Sequence, residues 1–192
     1  LLAEDAFACA EPATAEALAP AVDRLRAEAR ACETVTVARE GLVHWRDTQV
    51  VLQQREAWER FRDWIETVQP RLAWGVALNF RAGAELDPAV HAEAARLRPA
   101  LAAAVRERLG DDGLLCLPTA PFPAPRRAID GRAAAALWPA IAPLTCIAGL
   151  AGLPQLTVPG ASVDGAPVGL SLIAPAGRDT ALGALAARLW SA

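Results

Sequence analysis

The chain has 192 residues, a net charge of −3 and 54% hydrophobic residues, which is enough to bury the core of one domain or of part of a larger one. This charge balance predicts neither a nucleic acid nor an anionic membrane surface as a partner. Every basic residue other than the two histidines is arginine, so no lysine amine is available as a base or a Schiff-base former.

The first third of the chain predicts two helices separated by a short strand. Apolar residues recur at helical spacing over residues 14–31 and again over 47–68, where Pro70 ends the second helix. The β-branched run at 34–37 between them predicts a strand. We interpret the charged residues of the second helix as a solvated face rather than a binding surface.

The middle of the chain predicts one more helix and a buried strand. Residues 72–80 are apolar without a clear period, and we interpret them as irregular. Asp87 followed by Pro88 is a favoured helix start, and Gly110 is a natural stop for that helix. The short apolar run at 114–117 predicts a buried strand.

Prolines and glycines divide the next segment into a loop and a broken helix. The run at 119–125 predicts a semi-rigid loop, because proline donates no hydrogen bond to a sheet. Broken helical turns are expected over 133–153. The uncharged stretch 133–163 is long enough to cross a bilayer, but its prolines and glycines would leave backbone groups unsatisfied in lipid. We therefore predict a buried helix, loop and strand, and no membrane partner.

A hairpin and a last helix complete the predicted elements. A strand at 155–158 is expected to stop at Pro159. The pair at 164–165, Asp-Gly, is a strong hairpin signal that joins it to a strand at 168–174. Asp179 then caps the last helix, which should extend to Ser191.

The start of the chain and its cysteines suggest its context. The chain begins at Leu1, without an initiator methionine or a signal-peptide pattern, which predicts a fragment of a longer sequence. A mature N-terminus is the alternative. The four cysteines are widely spread and form no CxxC pair, which favours reduced thiols in a cytoplasmic protein.

Several kinds of active site are disfavoured by the residues present. Cys146 could pair with His44 or His91, but an uncharged environment favours an inert, packing thiol. The two histidines lack neighbours at metal-ligand spacing, so no metal site is predicted. The run around Ser171 is Gly-Leu-Ser-Leu-Ile, which is not the Gly-x-Ser-x-Gly turn of a hydrolase.

The order of motifs after residue 111 resembles the C-terminal half of the amidase signature family. That order is a strand, a Pro-Thr-x-Pro loop, a small-residue helix, Gly-Leu-Pro, a strand, an Asp-Gly hairpin and a Gly-x-Asp helix start. The matching residues are Asp112, Leu114, Leu115, Pro118, Thr119, Pro121, Ala124, Pro125, Gly152, Leu153, Pro154, Thr157, Val158, Pro159, Gly165, Pro167, Val168, Gly169 and Leu170. The resemblance is clear over 111–192 and weaker but compatible over 1–110.

Two departures from the family pattern point to one branch. Gly149 replaces the usual asparagine before the Gly-Leu-Pro segment, and Gln155 replaces a small apolar residue after it. This version looks closest to the branch of the plant indole-acetamide hydrolases and their non-catalytic chloroplast-receptor relatives. The branch contains both active and inactive members, so activity does not follow from it.

The resemblance implies an α/β fold, with a mixed β-sheet flanked by helices, that forms the C-terminal half of the amidase signature fold. Residues 1–192 would be a partial amidase domain, mostly helical over 1–110 and strand-rich over 111–192. Such a half should expose apolar surface and tend to associate with itself or with the missing N-terminal half. Homo-oligomers are compatible with this expectation.

The chemistry implied by the resemblance is amide hydrolysis through an acyl-enzyme, on a Ser–cis-Ser–Lys triad. In the family these groups lie upstream of the region in this chain, which has no lysine and no Gly-Ser-rich turn. No catalytic residue, metal or cofactor is therefore predicted here.

The resemblance implies that this half would form one wall of the acyl-side pocket, which binds a small-molecule amide in the intact enzyme. The candidate substrate contacts are Thr119, Phe122, Thr145, Cys146 and Gly149. Gly149 and Cys146 could instead be small only because a helix packs closely on the sheet. The two alternative functions are an inactive scaffold and an amidotransferase A-type subunit.

Overall fold

The computed structural model describes residues 1–190, which form five strands and seven helices. The strands are β1 (Leu2–Ala3), β2 (Thr34–Val35), β3 (Leu115–Pro118), β4 (Gln155–Val163) and β5 (Ala166–Ile173). The helices are α1 (Glu4–Phe7), α2 (Pro12–Glu28), α3 (Leu42–Val68), α4 (Trp74–Ala84), α5 (Pro88–Leu109), α6 (Gly131–Ala151) and α7 (Asp179–Trp190). Ser191, expected at the end of the last helix, lies outside the described residues.

The five strands form one mixed sheet in the order β2-β1-β3-β5-β4. β1 is parallel to both β2 and β3, whereas β5 is antiparallel to its two neighbours, β3 and β4. Helices pack on both faces. The predicted fold class, a mixed sheet flanked by helices, is confirmed.

Each face of the sheet has its own hydrophobic core, because side chains alternate along a strand. Leu115, Leu117 and Ile173 face the core formed with α3, α5 and α6. Cys116, Leu170 and Leu172 face the core formed with α2 and α7. We call these the α6 face and the α2 face.

Local signals account for the hairpin. Asp164 and Gly165 have φ angles of 50° and 78°, as a two-residue hairpin turn with a right-handed strand twist requires. This turn aligns Val163 with Ala166 and so sets the register of β4 on β5.

The strand predicted at 155–158 was too short. β4 continues past Pro159 to Val163, because β4 is an edge strand and proline is tolerated there.

Two helices differ from the sequence expectation. Residues 72–80 were expected to be irregular, but α4 runs from Trp74 to Ala84. Its large apolar residues alternate along the sequence and hide the helical period. Its packing on α3 is so close that a Cβ at Gly83 would lie 2.1 Å from the backbone oxygen of Gln54. The packing of α4 on α3, rather than the local sequence pattern, therefore determines that this segment is helical.

The second difference is α6, which is one continuous helix rather than broken turns. Pro143 has no N–H for the carbonyl of Pro139, and Arg46 Nη1 donates to that oxygen instead, at 3.3 Å. The side chain of Asp130 caps the start of the helix by accepting from the amide of Ala133 at 2.8 Å. By length and composition α6 could cross a membrane, but its residues 142–151 pack mostly in the core of the α6 face.

The short strand β1 has no pattern that would predict it. Asp5, directly after it, holds the chain that follows β2, because its carboxylate accepts from the amides of Val37 and Ala38 at 3.0 and 2.8 Å. One carboxylate thereby satisfies two backbone donors and ties the first residues to the start of α3.

Candidate functional site

The loop after β3 carries two of the predicted pocket residues, Thr119 and Phe122. Backbone hydrogen bonds hold the loop along β5: Thr119 donates to Gly169 O at 2.9 Å, and Ala124 donates to Pro167 O at 3.0 Å. The carbonyl of Pro121 also accepts from the amide of Glu11 at 2.7 Å. The proline content predicted a semi-rigid loop, and these hydrogen bonds hold that loop along β5.

Four neutral polar side chains meet at this end of the sheet, and we call Thr119, Gln155, Thr157 and Ser171 the hydroxyl cluster. Ser171 Oγ lies at its centre, 2.8 Å from Thr119 Oγ1 and 3.3 Å from Thr157 Oγ1. The amide of Gln155 donates to Ser171 Oγ at 2.9 Å, and Thr119 Oγ1 lies 3.4 Å from Thr157 Oγ1. Ser171 is fully buried, yet its hydroxyl is satisfied by three partners.

The hydroxyl cluster lies on the α6 face at the point where the helical cover ends. Ile173 and Ser171 are buried, whereas Gly169 and Thr119 are half-buried and Thr157 is exposed. Gly169 makes this opening possible. A Cβ there would lie 2.8 Å from Thr157 Cγ2 and 2.9 Å from Thr119 Oγ1, so any side chain would push the two threonines away.

The other three predicted residues lie on α6 and point in two directions. Thr145 and Gly149 are exposed and stand one helical turn apart. A Cβ at Gly149 would lie 3.2 Å from Nε2 of Gln49 on α3, so the missing side chain leaves room for that amide. Cys146 points into the core, where its thiol donates to Pro143 O at 3.3 Å. In the described residues no hydrogen bond links this group to the hydroxyl cluster.

Arginines of α5 position the C-terminal end of α6, which leads into β4. Arg106 donates to the carbonyl of Ala151 through Nε and Nη2, at 2.9 and 2.5 Å, and Arg98 donates to Leu150 O at 3.3 Å. Cations at a helix C-terminus also interact favourably with its dipole. Gly152 ends the helix with a left-handed φ of 62°, so β4 begins at a defined position beside β5.

The two buried thiols are not nucleophiles. Burial raises the pKa of Cys116 and of Cys146 to about 12, because the apolar core disfavours a thiolate. Cys146 was considered as a partner for a histidine, but a protonated thiol in the core is inert at neutral pH. This agrees with the packing interpretation of that residue.

These thiols should make the protein less stable at alkaline pH. Because their folded pKa of about 12 exceeds the ordinary value of 9.0, the unfolded chain releases protons first. Their stabilisation is therefore complete below pH 9 and declines towards pH 12, by about 1.4 kcal/mol per pH unit for each thiol. Urea unfolding measured between pH 8 and 11 tests this. A Cys116→Ala, Cys146→Ala double variant should flatten the decline, and an unchanged slope would contradict the assignment.

Three grooves of the described chain lie away from the predicted site. A groove of about 590 Å³ lies among α2, the end of α5 and α7, lined by both arginine and acidic side chains. None of the five predicted residues lines it, a groove beside the start of α7, or a groove between the start of α3 and α5. Within residues 1–190, no cluster of three or more His, Cys, Asp or Glu side chains could hold a metal ion.

The sequence analysis missed most of the hydroxyl cluster. Thr157 was predicted only as a motif match and Gln155 as a departure from a family pattern. Ser171 was considered only as the serine of a run that does not match a hydrolase turn. A signal was present, since Gln155 and Thr157 are two residues apart and share one face of a strand. The pairing of Thr157 with Ser171 comes from the hairpin register.

Comparison with known proteins gives one family. The family model "Amidase" matches residues 9–182. "Amidase 1" of Oryza sativa subsp. japonica is 30% identical over 129 residues, which are 67% of this chain and 30% of that protein. The A-type subunit of the glutamyl-tRNA(Gln) amidotransferase of Deinococcus radiodurans is 40% identical over 105 residues, which are 53% of this chain and 22% of that protein.

A solved structure has the same fold over nearly the whole chain. A crystal structure described as an amidase superposes with a TM-score of 0.80 and 24% identity, and the match covers 99% of this chain and 44% of that one. The chain thus spans less than half the length of these similar proteins. The solved structure shows the shared fold, and the family match over residues 9–182 places this chain in the Amidase family.

Proposed function

We propose that this chain forms the non-catalytic half of an amide hydrolase and supplies one wall of its substrate pocket. One observation carries the proposal: the family match extends over residues 9–182 of a sequence that contains no lysine. The Ser–cis-Ser–Lys triad expected from the family resemblance would then be supplied by polypeptide outside these residues. This half would position the amide rather than attack it.

The arrangement of the α6 face supports a pocket wall. The hydroxyl cluster supplies polar groups at an opening of an otherwise apolar sheet, and α6 presents Thr145 and Gly149 on an exposed surface. Pockets for small molecules commonly combine apolar walls with a few fixed polar groups. The proposed substrate contacts are Thr119, Phe122, Thr145 and Gly149. Cys146, which is buried, would pack in the core beneath this surface instead of contacting the substrate.

An exposed apolar surface on α3 and α4 supports association with further polypeptide. Six large apolar side chains there are each at least 44% exposed: Phe61, Trp64, Val68, Trp74, Val76 and Leu78. Patches of this kind commonly mark contacts with a partner. A catalytic half or a second copy of this chain would cover part of this surface.

We also propose that the assembly is located in the cytoplasm.

Within the Amidase family, we propose that this chain belongs to the branch of indole-acetamide hydrolase-like amidases. It is supported by Gly149 and Gln155, the two departures from the common family pattern.

Joining the two halves tests the function. The chain is expressed alone and together with the polypeptide encoded directly upstream of Leu1, and ammonia release from simple amides is measured. We expect no hydrolysis by the chain alone and hydrolysis by the joined protein. Replacement of the lysine expected for the triad in that upstream polypeptide by alanine should abolish the activity. Hydrolysis by the chain alone would contradict the proposal.

Two other functions lead to different results in the same assay. A joined protein that folds but hydrolyses no amide would favour the inactive scaffold. The 40% identity to the A-type subunit of an amidotransferase favours testing a third function, in which ammonia release from glutamine depends on a charged tRNA. The net charge of −3 argues against tRNA binding by this chain itself.

A further inference from the structure

The helix α4 is apolar around most of its circumference, yet only one of its sides is packed. Arg81 is the single charged residue among its 11 residues. Its main packing partner within residues 1–190 is α3, which it meets through Phe80 and Gly83. A helix without a polar face is normally covered on more than one side. The free side of α4 is therefore expected to contact further polypeptide.

The free side carries a stripe of three exposed side chains, Trp74, Leu78 and Arg81, which we call the outer stripe. Their spacing of four and then three residues places them on one face of the helix. Phe80 and Gly83, which contact α3, lie on the opposite face. Trp74 is 59% and Leu78 44% exposed, and the side chain of Arg81 is also exposed.

The outer stripe is complementary to itself. If two copies of α4 run antiparallel about a two-fold axis near Leu78, Trp74 of each copy faces Arg81 of the other. A guanidinium over an indole ring is a favourable cation–π pair. Glu85, which pairs with Arg81 of its own chain at 2.8 Å, holds that guanidinium beside the stripe.

Charges just outside the helix fit the same arrangement. Arg71, before α4, and Glu85, after it, are both exposed and opposite in charge. In the antiparallel pair Arg71 of each copy faces Glu85 of the other, so two equivalent ion pairs form. A two-fold interface requires that one surface supply both sides of every contact, and residues 71–85 do so.

The size of this surface predicts a weak dimer. At 11 residues α4 is about 17 Å long, and Trp64 and Val68 at the end of α3 extend its apolar surface. Such a contact lies below the roughly 800 Å² per partner of a standard interface, in the range of transient complexes. Dilute protein should therefore be monomeric, and association should appear at high micromolar concentration.

We propose that two copies of this chain associate through the outer stripe of α4, antiparallel about a two-fold axis near Leu78. The matching of aromatic, cationic and anionic residues within 71–85 favours a second copy over a catalytic half as the occupant of the stripe. This inference goes beyond the proposed function and does not depend on amide hydrolysis.

Analytical ultracentrifugation of the 192-residue chain tests the proposal. The mass should rise with concentration from 20.2 kDa towards twice that value. Leu78→Arg places two guanidinium groups against each other at the axis and should weaken association at least about tenfold. Val90→Arg is the matched control, because Val90 on α5 is similarly exposed, at 48%, and should leave association unchanged. Circular dichroism verifies that both variants fold.

Charge reversal tests the antiparallel arrangement. Arg71→Glu and Glu85→Arg each bring like charges together twice across the axis, and each should weaken association by about threefold to tenfold. The variant that carries both substitutions forms the reversed pairs and should associate as the unmodified chain does. Failure of the second substitution to restore association would overturn the arrangement.

Three further results would overturn the inference. The first is a chain that remains monomeric up to millimolar concentration. The second is an equal loss of association in Leu78→Arg and Val90→Arg, which would indicate nonspecific contacts. The third is a joined protein that stays monomeric where the chain alone dimerises, because the catalytic half would then cover α4. Whether the joined protein hydrolyses amides tests only the proposed function.

Discussion

Replacing Trp45 with alanine should destabilise the protein by about 3–5 kcal/mol, a large fraction of the total stability of a domain. Trp45 is 1% exposed and packs in the α6-face core at the start of α3. Its indole N–H also donates to a carboxylate oxygen of Glu40 at 3.3 Å. Truncation would leave a cavity in the core that anchors α3, α5 and α6.

The matched control for this prediction is Trp74→Ala, which makes the same substitution on α4. Trp74 is 59% exposed, so its removal should change the free energy of unfolding by about 0.5 kcal/mol or less. Urea unfolding followed by circular dichroism measures both variants. Similar losses of stability at the two positions would contradict the packing described here.

Two glycines of α4 should respond in opposite directions to the same substitution. Gly83→Ala would place a Cβ 2.1 Å from the backbone oxygen of Gln54, so α3 and α4 must separate. Overpacking of this kind costs about 1–3 kcal/mol. At Gly75 no atom lies within 4 Å of the added Cβ, and alanine should stabilise the helix by up to about 1 kcal/mol.

Thermal unfolding of the two alanine variants measures this difference. The comparison removes the intrinsic preference of alanine for helices, because both glycines lie in the same helix. A Gly83→Ala variant as stable as Gly75→Ala would mean that α4 does not pack closely on α3. Destabilisation of Gly83→Ala alone would show that close packing of α4 on α3, rather than helix propensity, determines the response at Gly83.

Local chemistry made part of the fold predictable. Asp87 and Pro88 start a helix because an aspartate side chain caps free amides and proline needs no N–H there; in the structure Asp87 accepts from the amide of Ala89 at 2.8 Å. Asp164 and Gly165 tolerate positive φ and so predict the hairpin. Signals of this kind depend on neighbouring residues only, so they can be recognised in the sequence without knowledge of the tertiary structure.

Other elements depended on contacts that are distant in sequence. Pro143 predicted a break in α6, but Arg46 on α3 supplies a donor to the carbonyl that proline leaves free. The alternating apolar residues of α4 concealed a helix whose position Gly83 and Gln54 decide together. No local pattern reports a donor or a close backbone contact from another helix.

The residues of the candidate site also include some that the sequence predicted and some that only the structure revealed. Thr119 was predicted as a pocket residue from its motif, and the structure places it at the opening of the sheet. Ser171 was assigned no role, because a lone serine in an apolar strand carries no pattern. Its role appears only when the register of three strands brings Thr119, Gln155 and Thr157 to it.

The sequence by itself determined the family, the fold class and the absence of a lysine base from this chain, because these follow from residue types and their order. The tertiary structure decided which side chains meet. It placed Cys146 in the core, left Thr145 and Gly149 exposed, and assembled the hydroxyl cluster from β4, β5 and the loop after β3. The physical reason is that hydrogen bonds and burial depend on strand register and helix packing, which are set by contacts between residues far apart in the sequence.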